Sequence, residues 1–150
     1  MKLTPIEGRG KNFQITYDKK SFTLIDESYN SSPESLAKAI ESLNNLKSNH
    51  NRKICVIGDM LELGKMSKSC HLKILKTLLN TKPDIILTVG NHSYEIFKKL
   101  PENFLKFHFK NYKNVFDKLL SIIENDDIIM IKGSNSTNLH LVSKRLIELK

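Results

Sequence analysis

The stretch ICVIGDMLELG, residues 54–64, decides how the chain folds. Its first four residues are apolar, and the chain then reaches Gly58, which is the pattern of a short strand buried on both faces of a parallel sheet. Residues 85–89 and 128–131 are two further apolar runs of strand length, and each is followed closely by a glycine. The three runs together predict strands of a mainly parallel sheet.

Helical patterns separate these strands. Residues 33–46 carry apolar side chains at helical spacing, Ser32 is of a type that caps helices, and Pro33 suits the first helical position. Further helices are predicted over residues 67–79, 92–100, 112–123 and 138–149. The remaining predicted strands are residues 13–17 and 22–25, which form an opening hairpin, and a weaker strand at residues 105–109.

The alternation of strands and helices with short connections predicts the fold class. We expect an α/β, Rossmann-like fold, in which a mainly parallel sheet carries helices on both faces and an antiparallel β-hairpin precedes it. No repeat, low-complexity tract or linker interrupts the pattern. The 150 residues are also a usual size for one domain. We therefore expect residues 1–150 to form a single domain.

Composition narrows the class of protein. The formal net charge of +8 comes from lysines spread along the whole chain, without the basic block or aromatic–basic pattern of a nucleic-acid surface. No apolar run approaches the roughly 18 residues of a membrane-spanning helix. Cys55 and Cys70 are too few for a disulfide framework or a zinc site. We expect a cytoplasmic protein that binds no nucleic acid and has no membrane span.

Chemistry is expected at one edge of the sheet. In open α/β sheets ligands gather beyond the carboxyl ends of the strands, where loops meet the amino ends of helices. Each of four such segments couples a strand end to polar or glycine residues. They are residues 26–33, 58–64, 90–92 and 132–137.

The first of these segments, DESYNSSP at residues 26–33, is the most polar. It presents free helix amides to an anion, and Asp26 and Glu27 could pair with a metal, a ribose hydroxyl or an arginine. A well-capped connection with solvated acids explains the same residues equally well. The sequence leaves both interpretations open.

The segment GDMLELG at residues 58–64 mixes two acids with three large apolar side chains. We expect Met60 and Leu63 to be buried as anchors and Asp59 and Glu62 to point outward. A plain loop rarely contains so many large apolar residues, so this segment is expected to pack on something, such as another domain. A short helical turn that completes the core is the alternative.

The segment KGSNST at residues 132–137 joins one cation to three hydroxyls at a strand-to-helix turn. Such a turn suits a carboxylate or a phosphoryl oxygen. Neither a Walker A loop nor a Gly-x-Gly-x-x-Gly fingerprint occurs in the chain. His92 could line the same cleft, whereas His71 in its predicted helix is expected to be structural or solvated. No residue set indicates a metal site or a self-sufficient catalyst.

Three of these segments together resemble a known family. The loop at residues 26–33, the run at 58–64 and KGS at 132–134 are similar in order and spacing to the C-terminal domain of the Mur ligases. The resemblance covers the whole chain, and Gly8-Arg9 resembles the Gly-Arg pair that opens this domain in the family. The fold that the resemblance implies agrees with the α/β pattern above.

The resemblance implies a reaction and partners. Mur ligases use ATP and Mg²⁺ to phosphorylate a peptide carboxylate, which an amine then attacks. The branch most similar to this chain adds D-alanyl-D-alanine to UDP-N-acetylmuramoyl-tripeptide in peptidoglycan synthesis. The chain would be the domain that closes over ATP and positions the amino substrate. The N-terminal and central domains, which hold most ATP and Mg²⁺ contacts, would be separate, so the chain alone is expected to be inactive.

The resemblance also implies roles for particular residues. Arg9 would reach the ATP phosphates, and Asp26 and Asn30 would contact the nucleotide or the domain interface. Lys132 and Ser134 would lie near D-alanyl-D-alanine and the acyl phosphate. Residues of the same cleft without an assigned role are Asp59, Glu62 and His92.

The sequence departs from the family at three positions. Glu27 stands where a second Asp is usual, Ser32 where Asn is usual, and Asn135 where Arg commonly follows the Lys-Gly-Ser. The missing arginine bears most on the roles that the resemblance implies for the residues near the amino substrate. The alternative hypothesis is a non-catalytic binding module that keeps the fold without its partner domains.

Overall fold

The computed structural model describes residues 11–46, 51–61 and 63–149. The strands are β1 Lys11–Tyr17, β2 Lys20–Glu27, β3 Lys53–Gly58, β4 Ile85–Val89, β5 Leu105–Phe109 and β6 Ile128–Lys132. The α-helices are α1 Pro33–Asn44, α2 Ser67–Thr81, α3 Tyr94–Lys99, α4 Val115–Ile122 and α5 Leu139–Ile147. A short 3₁₀ turn precedes each of α2, α4 and α5. These turns are Gly64–Met66, Tyr112–Asn114 and Asn135–Thr137.

The described strands form one sheet in the order β1-β2-β6-β3-β4-β5. β1 and β2 pair antiparallel as the opening hairpin, and every other neighbouring pair is parallel. The predicted fold class and the predicted hairpin are therefore confirmed. Because β2, β6, β3, β4 and β5 run in the same direction, the loops after them meet at one side of the sheet, called here the carboxyl edge.

Helices cover the sheet on both faces. α4 and α5 pack on one face of the sheet over a first apolar cluster. α1, α2 and α3 pack on the other face over a second apolar cluster. The side chains of β3 alternate between the two, since Ile54 and Val56 enter the first cluster while Cys55 and Ile57 enter the second. Full burial of each such aliphatic side chain contributes roughly 1.5–3 kcal/mol, so the apolar runs fix the layered arrangement.

The start of α1 follows from its first residues. The Ser32 hydroxyl accepts a hydrogen bond from the Ser35 amide at 3.1 Å, and the Ser35 hydroxyl accepts one from the Ser32 amide at 2.9 Å. Pro33 occupies the first turn, where its missing N–H is not needed. The predicted cap is confirmed. The helix ends at Asn44, two residues before the predicted end at residue 46.

Three other helices begin later than predicted. α3 begins at Tyr94, and the amides of residues 92 and 93 that precede it bind the carboxylate of Asp59. A 3₁₀ turn at Tyr112–Asn114 occupies the predicted start of α4. Asn138 has a left-handed backbone with φ 63°, so α5 begins after it.

An ion pair between Arg52 and Asp127 lies at the opposite side of the sheet, called here the amino edge. Asp127, which is 1% exposed, accepts hydrogen bonds from Arg52 Nε at 2.9 Å and Nη2 at 2.8 Å. Arg52 also donates to the main-chain oxygen of Ile122 at 2.8 Å. Among the described residues no helix is both long and apolar enough to cross a membrane.

Candidate site at the carboxyl edge

Lys132, the last residue of β6, is a buried cation at the carboxyl edge. Its side chain is 4% exposed, and Nζ donates to the main-chain oxygen of Asn30 at 2.7 Å. Glu27 Oε1 lies 3.5 Å from the same nitrogen. Burial lowers the pKa of Lys132, and the Glu27 carboxylate opposes that effect. The ammonium therefore joins the loop after β2 through a hydrogen bond to Asn30 and an ion pair with Glu27.

The loop after β2 is organised by its own side chains. Asp26 is 5% exposed, and its Oδ1 accepts from the Ser28 hydroxyl at 2.6 Å and the Ser28 amide at 3.1 Å. Asn30 is exposed, and its Oδ1 accepts from the Ser31 amide at 2.9 Å. Asp26 was expected either to bind a ligand or to be a solvated acid of a capped connection; it is buried rather than solvated, and it bonds within its own loop. No arginine is among its hydrogen-bond partners in the described parts of the chain.

The segment after β3 corrects one prediction. Asp59 was expected to point outward, but it is 7% exposed, and its carboxylate accepts from the amides of His92 at 3.1 Å and Ser93 at 2.7 Å. The amides at the start of α3 have no partner within their helix, and this drives the carboxylate inward. Met60 is fully buried as predicted, and Leu63 packs, partly buried, against the second cluster. Glu62 lies outside the described residues.

Ser134 ties the loop after β6 to this segment. Its amide donates to the main-chain oxygen of Asp59 at 3.1 Å, and its hydroxyl accepts from the Leu61 amide at 2.9 Å. Ser134 is therefore held against residues 59–61 by two hydrogen bonds in opposite directions. Both segments were expected at this edge, but no local sequence pattern predicts the hydrogen bonds between them.

Two histidines, His71 and His92, lie next to the segment after β3. His71 is fully buried, and its Nε2 accepts from the Met60 amide at 3.0 Å while Nδ1 donates to the main-chain oxygen of Ser67 at 2.7 Å. These partners require a neutral ring protonated at Nδ1. Burial lowers the pKa of His71. Its structural role agrees with the prediction, and exposed His92 lies at the rim with its ring centroid 5.6 Å away.

A cavity opens between the loops after β2, β3 and β6. It has a volume of about 340 Å³ and is lined by neutral amides, hydroxyls and two larger side chains: Tyr29, Asn30, Ser31, Leu61, Ser134, Asn135 and Ser136. Sequence reasoning missed two features of it. The Ser31 hydroxyl is buried without a hydrogen-bond partner, and Tyr29 stacks on His140 with centroids 5.8 Å apart. No local pattern relates residues so far apart in sequence.

The arrangement can hold a polar ligand but supplies no complete catalyst. The edge combines the Lys132–Glu27 ion pair and the buried carboxylates of Asp26 and Asp59 with a cavity that is lined by neutral donors and acceptors. Among the described residues no group of three or more His, Cys, Asp or Glu side chains is placed to hold a metal ion. Arg9 lies outside the described residues. The structure thus brings Asn30, Asp59, His92, Lys132 and Ser134 to one edge, with Asp59 and Lys132 buried there.

Comparison with known proteins identifies relatives of the whole described sheet. The family described as Mur ligase, glutamate ligase domain, matches residues 13–135. UDP-N-acetylmuramoyl-tripeptide–D-alanyl-D-alanine ligase of Rickettsia prowazekii is 31% identical over 133 residues, which are 89% of this chain and 28% of that protein. The protein of the same name from Bacillus subtilis is 28% identical over 149 residues, 97% of this chain and 32% of its own length. The chain spans less than a third of the length of these curated relatives.

Solved structures share the fold. The MurF ligase from Thermotoga maritima in complex with ADP superposes with a TM-score of 0.76 at 22% identity, over 97% of this chain and 32% of that one. MurF from Acinetobacter baumannii superposes with a TM-score of 0.78 at 23% identity, over 97% and 31% of the two chains. At these identities the likeness establishes the architecture of the domain.

Proposed function

The chain belongs to the Mur ligase family, and from that premise we propose that it is the C-terminal domain of an ATP-dependent peptide ligase. The ligase would join D-alanyl-D-alanine to UDP-N-acetylmuramoyl-tripeptide in the cytoplasm, forming an amide and releasing ADP and phosphate. The relatives that carry this name support the choice of substrates. Residues 1–150 would act as one domain whose partners are the N-terminal and central domains.

The observation that carries this proposal is the convergence at the carboxyl edge. Lys132 bonds to Asn30, and Ser134 bonds to residues 59 and 61, so three segments that are far apart in sequence form one polar rim. A rim with a buried cation and no nucleophile–base pair suits a domain that closes over reactants held by another domain. The alternative is a non-catalytic binding module that keeps the fold without its partner domains, and the reconstitution experiment below distinguishes the two.

Roles for the rim residues follow from their chemistry. The Lys132 ammonium would stabilise negative charge on the reacting carboxylate or the acyl phosphate, because its low exposure strengthens the electrostatic interaction. Ser134 would line the path of the amino substrate beside it. Asn30, which is exposed, would contact the nucleotide or the neighbouring domain, together with Asp26 and Arg9. Closure of the rim would also exclude water from the acyl phosphate.

The requirement for Mg²⁺ would be met by the central domain. The described part of this chain provides no cluster of metal ligands, and no step of the proposal passes through a metal held here. Most ATP contacts are likewise assigned to the central domain. We therefore propose that the chain alone binds nucleotide weakly and turns over none.

Reconstitution tests the proposal. The chain is mixed with a fragment that contains the N-terminal and central domains of such a ligase, and phosphate release is followed with ATP, Mg²⁺, UDP-N-acetylmuramoyl-tripeptide and D-alanyl-D-alanine. We expect release only when both proteins and both peptide substrates are present. Release that does not require the chain, or tight nucleotide binding by the chain alone in calorimetry, would contradict the proposal.

A further inference from the structure

Asp59 occupies a junction between three of the loops at the carboxyl edge. Its carboxylate binds the amides of His92 and Ser93 in the loop after β4. Its main-chain oxygen accepts from the Ser134 amide in the loop after β6 at 3.1 Å, and its own amide donates to Val89 at the end of β4 at 3.2 Å. One residue therefore contacts the strand end and loop of β4 as well as the loop of β6.

The junction is close-packed. A Cβ atom added at Gly90 would lie 2.5 Å from the Asp59 carboxylate carbon, and Gly90 has φ +113°. The carboxylate therefore packs directly against the Gly90 backbone, while it accepts hydrogen bonds from two main-chain amides. Asp59 is not among the residues that line the cavity.

We infer that Asp59 is a positioning residue of the proposed ligase site. It fixes the loop that carries His92 relative to Ser134, so that both present a single rigid rim to the amino substrate. The inference rests on the proposed function for its kinetic consequence. Its structural core, the coupling between the two loops through residue 59, stands on the hydrogen bonds alone.

A local cap and a positioning residue differ in how far their effects reach. If Asp59 only capped α3, its loss would expose the amides of His92 and Ser93. If it positions the rim, its loss must also loosen the amides of Ser134 and Leu61, which its side chain does not touch. Amide hydrogen exchange separates these two cases residue by residue.

The test compares Asp59→Asn with the unaltered chain by hydrogen exchange. Asn keeps the shape but replaces one acceptor oxygen by a donor, so one of the two amide bonds is lost. We expect the protection of the Ser134 and Leu61 amides to fall about tenfold, as loss of one hydrogen bond implies. Unchanged protection at these two amides would overturn the inference.

Asp127→Asn is the matched control. Asp127 is also a buried aspartate with several hydrogen bonds, but it lies at the amino edge. Under conditions where both variants are folded, Asp127→Asn is expected to lower the free energy of unfolding without changing the exchange protection of the Ser134 and Leu61 amides. If Asp127→Asn loosens the rim as much as Asp59→Asn does, the coupling is not specific and the inference fails.

Ser134→Ala probes the coupling from the other side if Asp59→Asn does not fold. It removes the acceptor of the Leu61 amide, and coupling requires faster exchange at His92 and Ser93 as well. Exchange that stays unchanged at those two amides would overturn the inference.

Kinetics in the reconstituted mixture distinguish failure of the inference from failure of the proposed function. With Asp59→Asn we expect KM for D-alanyl-D-alanine to rise about tenfold, while Asp127→Asn leaves KM within about twofold. An active mixture in which Asp59→Asn has an unaltered KM contradicts the positioning role. An unaltered chain that gives no activity refutes the proposed function, and the exchange experiment then decides the coupling.

Discussion

The ammonium of Lys132 lies 2.7 Å from the main-chain oxygen of Asn30, and this contact joins the end of β6 to the loop after β2. The two residues are 102 positions apart in sequence. A cation at 4% exposure is costly to bury unless it is paired, and Glu27 Oε1 lies 3.5 Å from this ammonium. The carboxyl edge therefore holds a buried charge that is fixed by one short hydrogen bond and one ion pair.

Acid is expected to destabilise the chain through two histidines, of which His71 is buried and His108 is half-buried. Burial lowers the pKa of His71 below the ordinary value of 6.5, and burial lowers the pKa of His108 as well. Above pH 6.5 both imidazoles are neutral in the folded and in the unfolded chain. Below pH 6.5 the unfolded chain binds protons that the folded chain does not. Stability is therefore expected to fall as the pH falls through 6.5, until the folded imidazoles are protonated.

Urea unfolding of the unaltered chain and of His71→Gln between neutral and mildly acidic pH measures this effect. Gln cannot titrate, so the variant should lose stability less steeply as the pH falls. Parallel pH dependences in the two proteins would show that His71 is not the neutral acceptor of the Met60 amide.

Gly90 and Gly64 should differ sharply in their tolerance of alanine. Both have positive φ, but a Cβ at Gly90 would lie 2.5 Å from the Asp59 carboxylate, whereas a Cβ at Gly64 meets nothing within 4 Å. We expect Gly64→Ala to cost about 1–2 kcal/mol from backbone conformation alone. Gly90→Ala should cost roughly 3 kcal/mol or more, because it also disrupts the carboxylate and its hydrogen bonds. Denaturant midpoints of the two variants provide the comparison, and equal losses would contradict the close packing described here.

Removal of the cap of α1 should destabilise the chain modestly. Ser32→Ala deletes the acceptor of the Ser35 amide, and such a loss typically costs about 1 kcal/mol. Ser42→Ala in the exposed last turn of the same helix should cost nothing, since alanine is the better helix former. Thermal unfolding of both variants checks the difference; a Ser42→Ala loss as large as that of Ser32→Ala would argue against the cap.

The thiol of Cys55 should be inert in the native chain. Burial raises its pKa to about 12, so almost no thiolate is present at neutral pH. In a Cys70→Ala background, we expect a thiol reagent to modify Cys55 only as fast as the chain unfolds globally. Rapid modification under native conditions would show that β3 is more accessible than its burial indicates.

The fold was largely predictable because its signals are local. Apolar runs that end near Gly58 and Gly90, and the Ser32-Pro33 start of α1, each determine a strand end or a helix start through neighbouring residues alone. The starts of α3, α4 and α5 were misplaced. The amides before α3 bind a distant carboxylate, a 3₁₀ turn precedes α4, and Asn138 before α5 has a left-handed backbone. Such features have no helical or strand period to reveal them.

The site was predictable in place but not in detail. Strand direction brings Asn30, Lys132 and Ser134 to one edge, and the sequence anticipated this. The orientation of Asp59 could not be read from its neighbours, because an acid between a glycine and apolar residues is equally compatible with solvent. Its inward position depends on free amides 33 and 34 residues further along the chain. The stacking of Tyr29 on His140 is likewise a tertiary contact without a sequence signal.

If the carboxyl edge is the functional face, substitution of a lysine there should impair activity, whereas substitution of a lysine at the amino edge should not. Lys132 and Lys53 each donate to a main-chain oxygen of an asparagine, at 2.7 Å on the carboxyl edge and at 3.4 Å on the amino edge. The measurement is D-alanyl-D-alanine-dependent phosphate release in the reconstituted mixture, with Lys132→Met and Lys53→Met both shown to be folded. We expect Lys132→Met to lower kcat/KM about a hundredfold or more, because it removes a buried charge at the reacting groups, and Lys53→Met to change kcat/KM less than about twofold. Equal rates for the two variants would contradict this expectation.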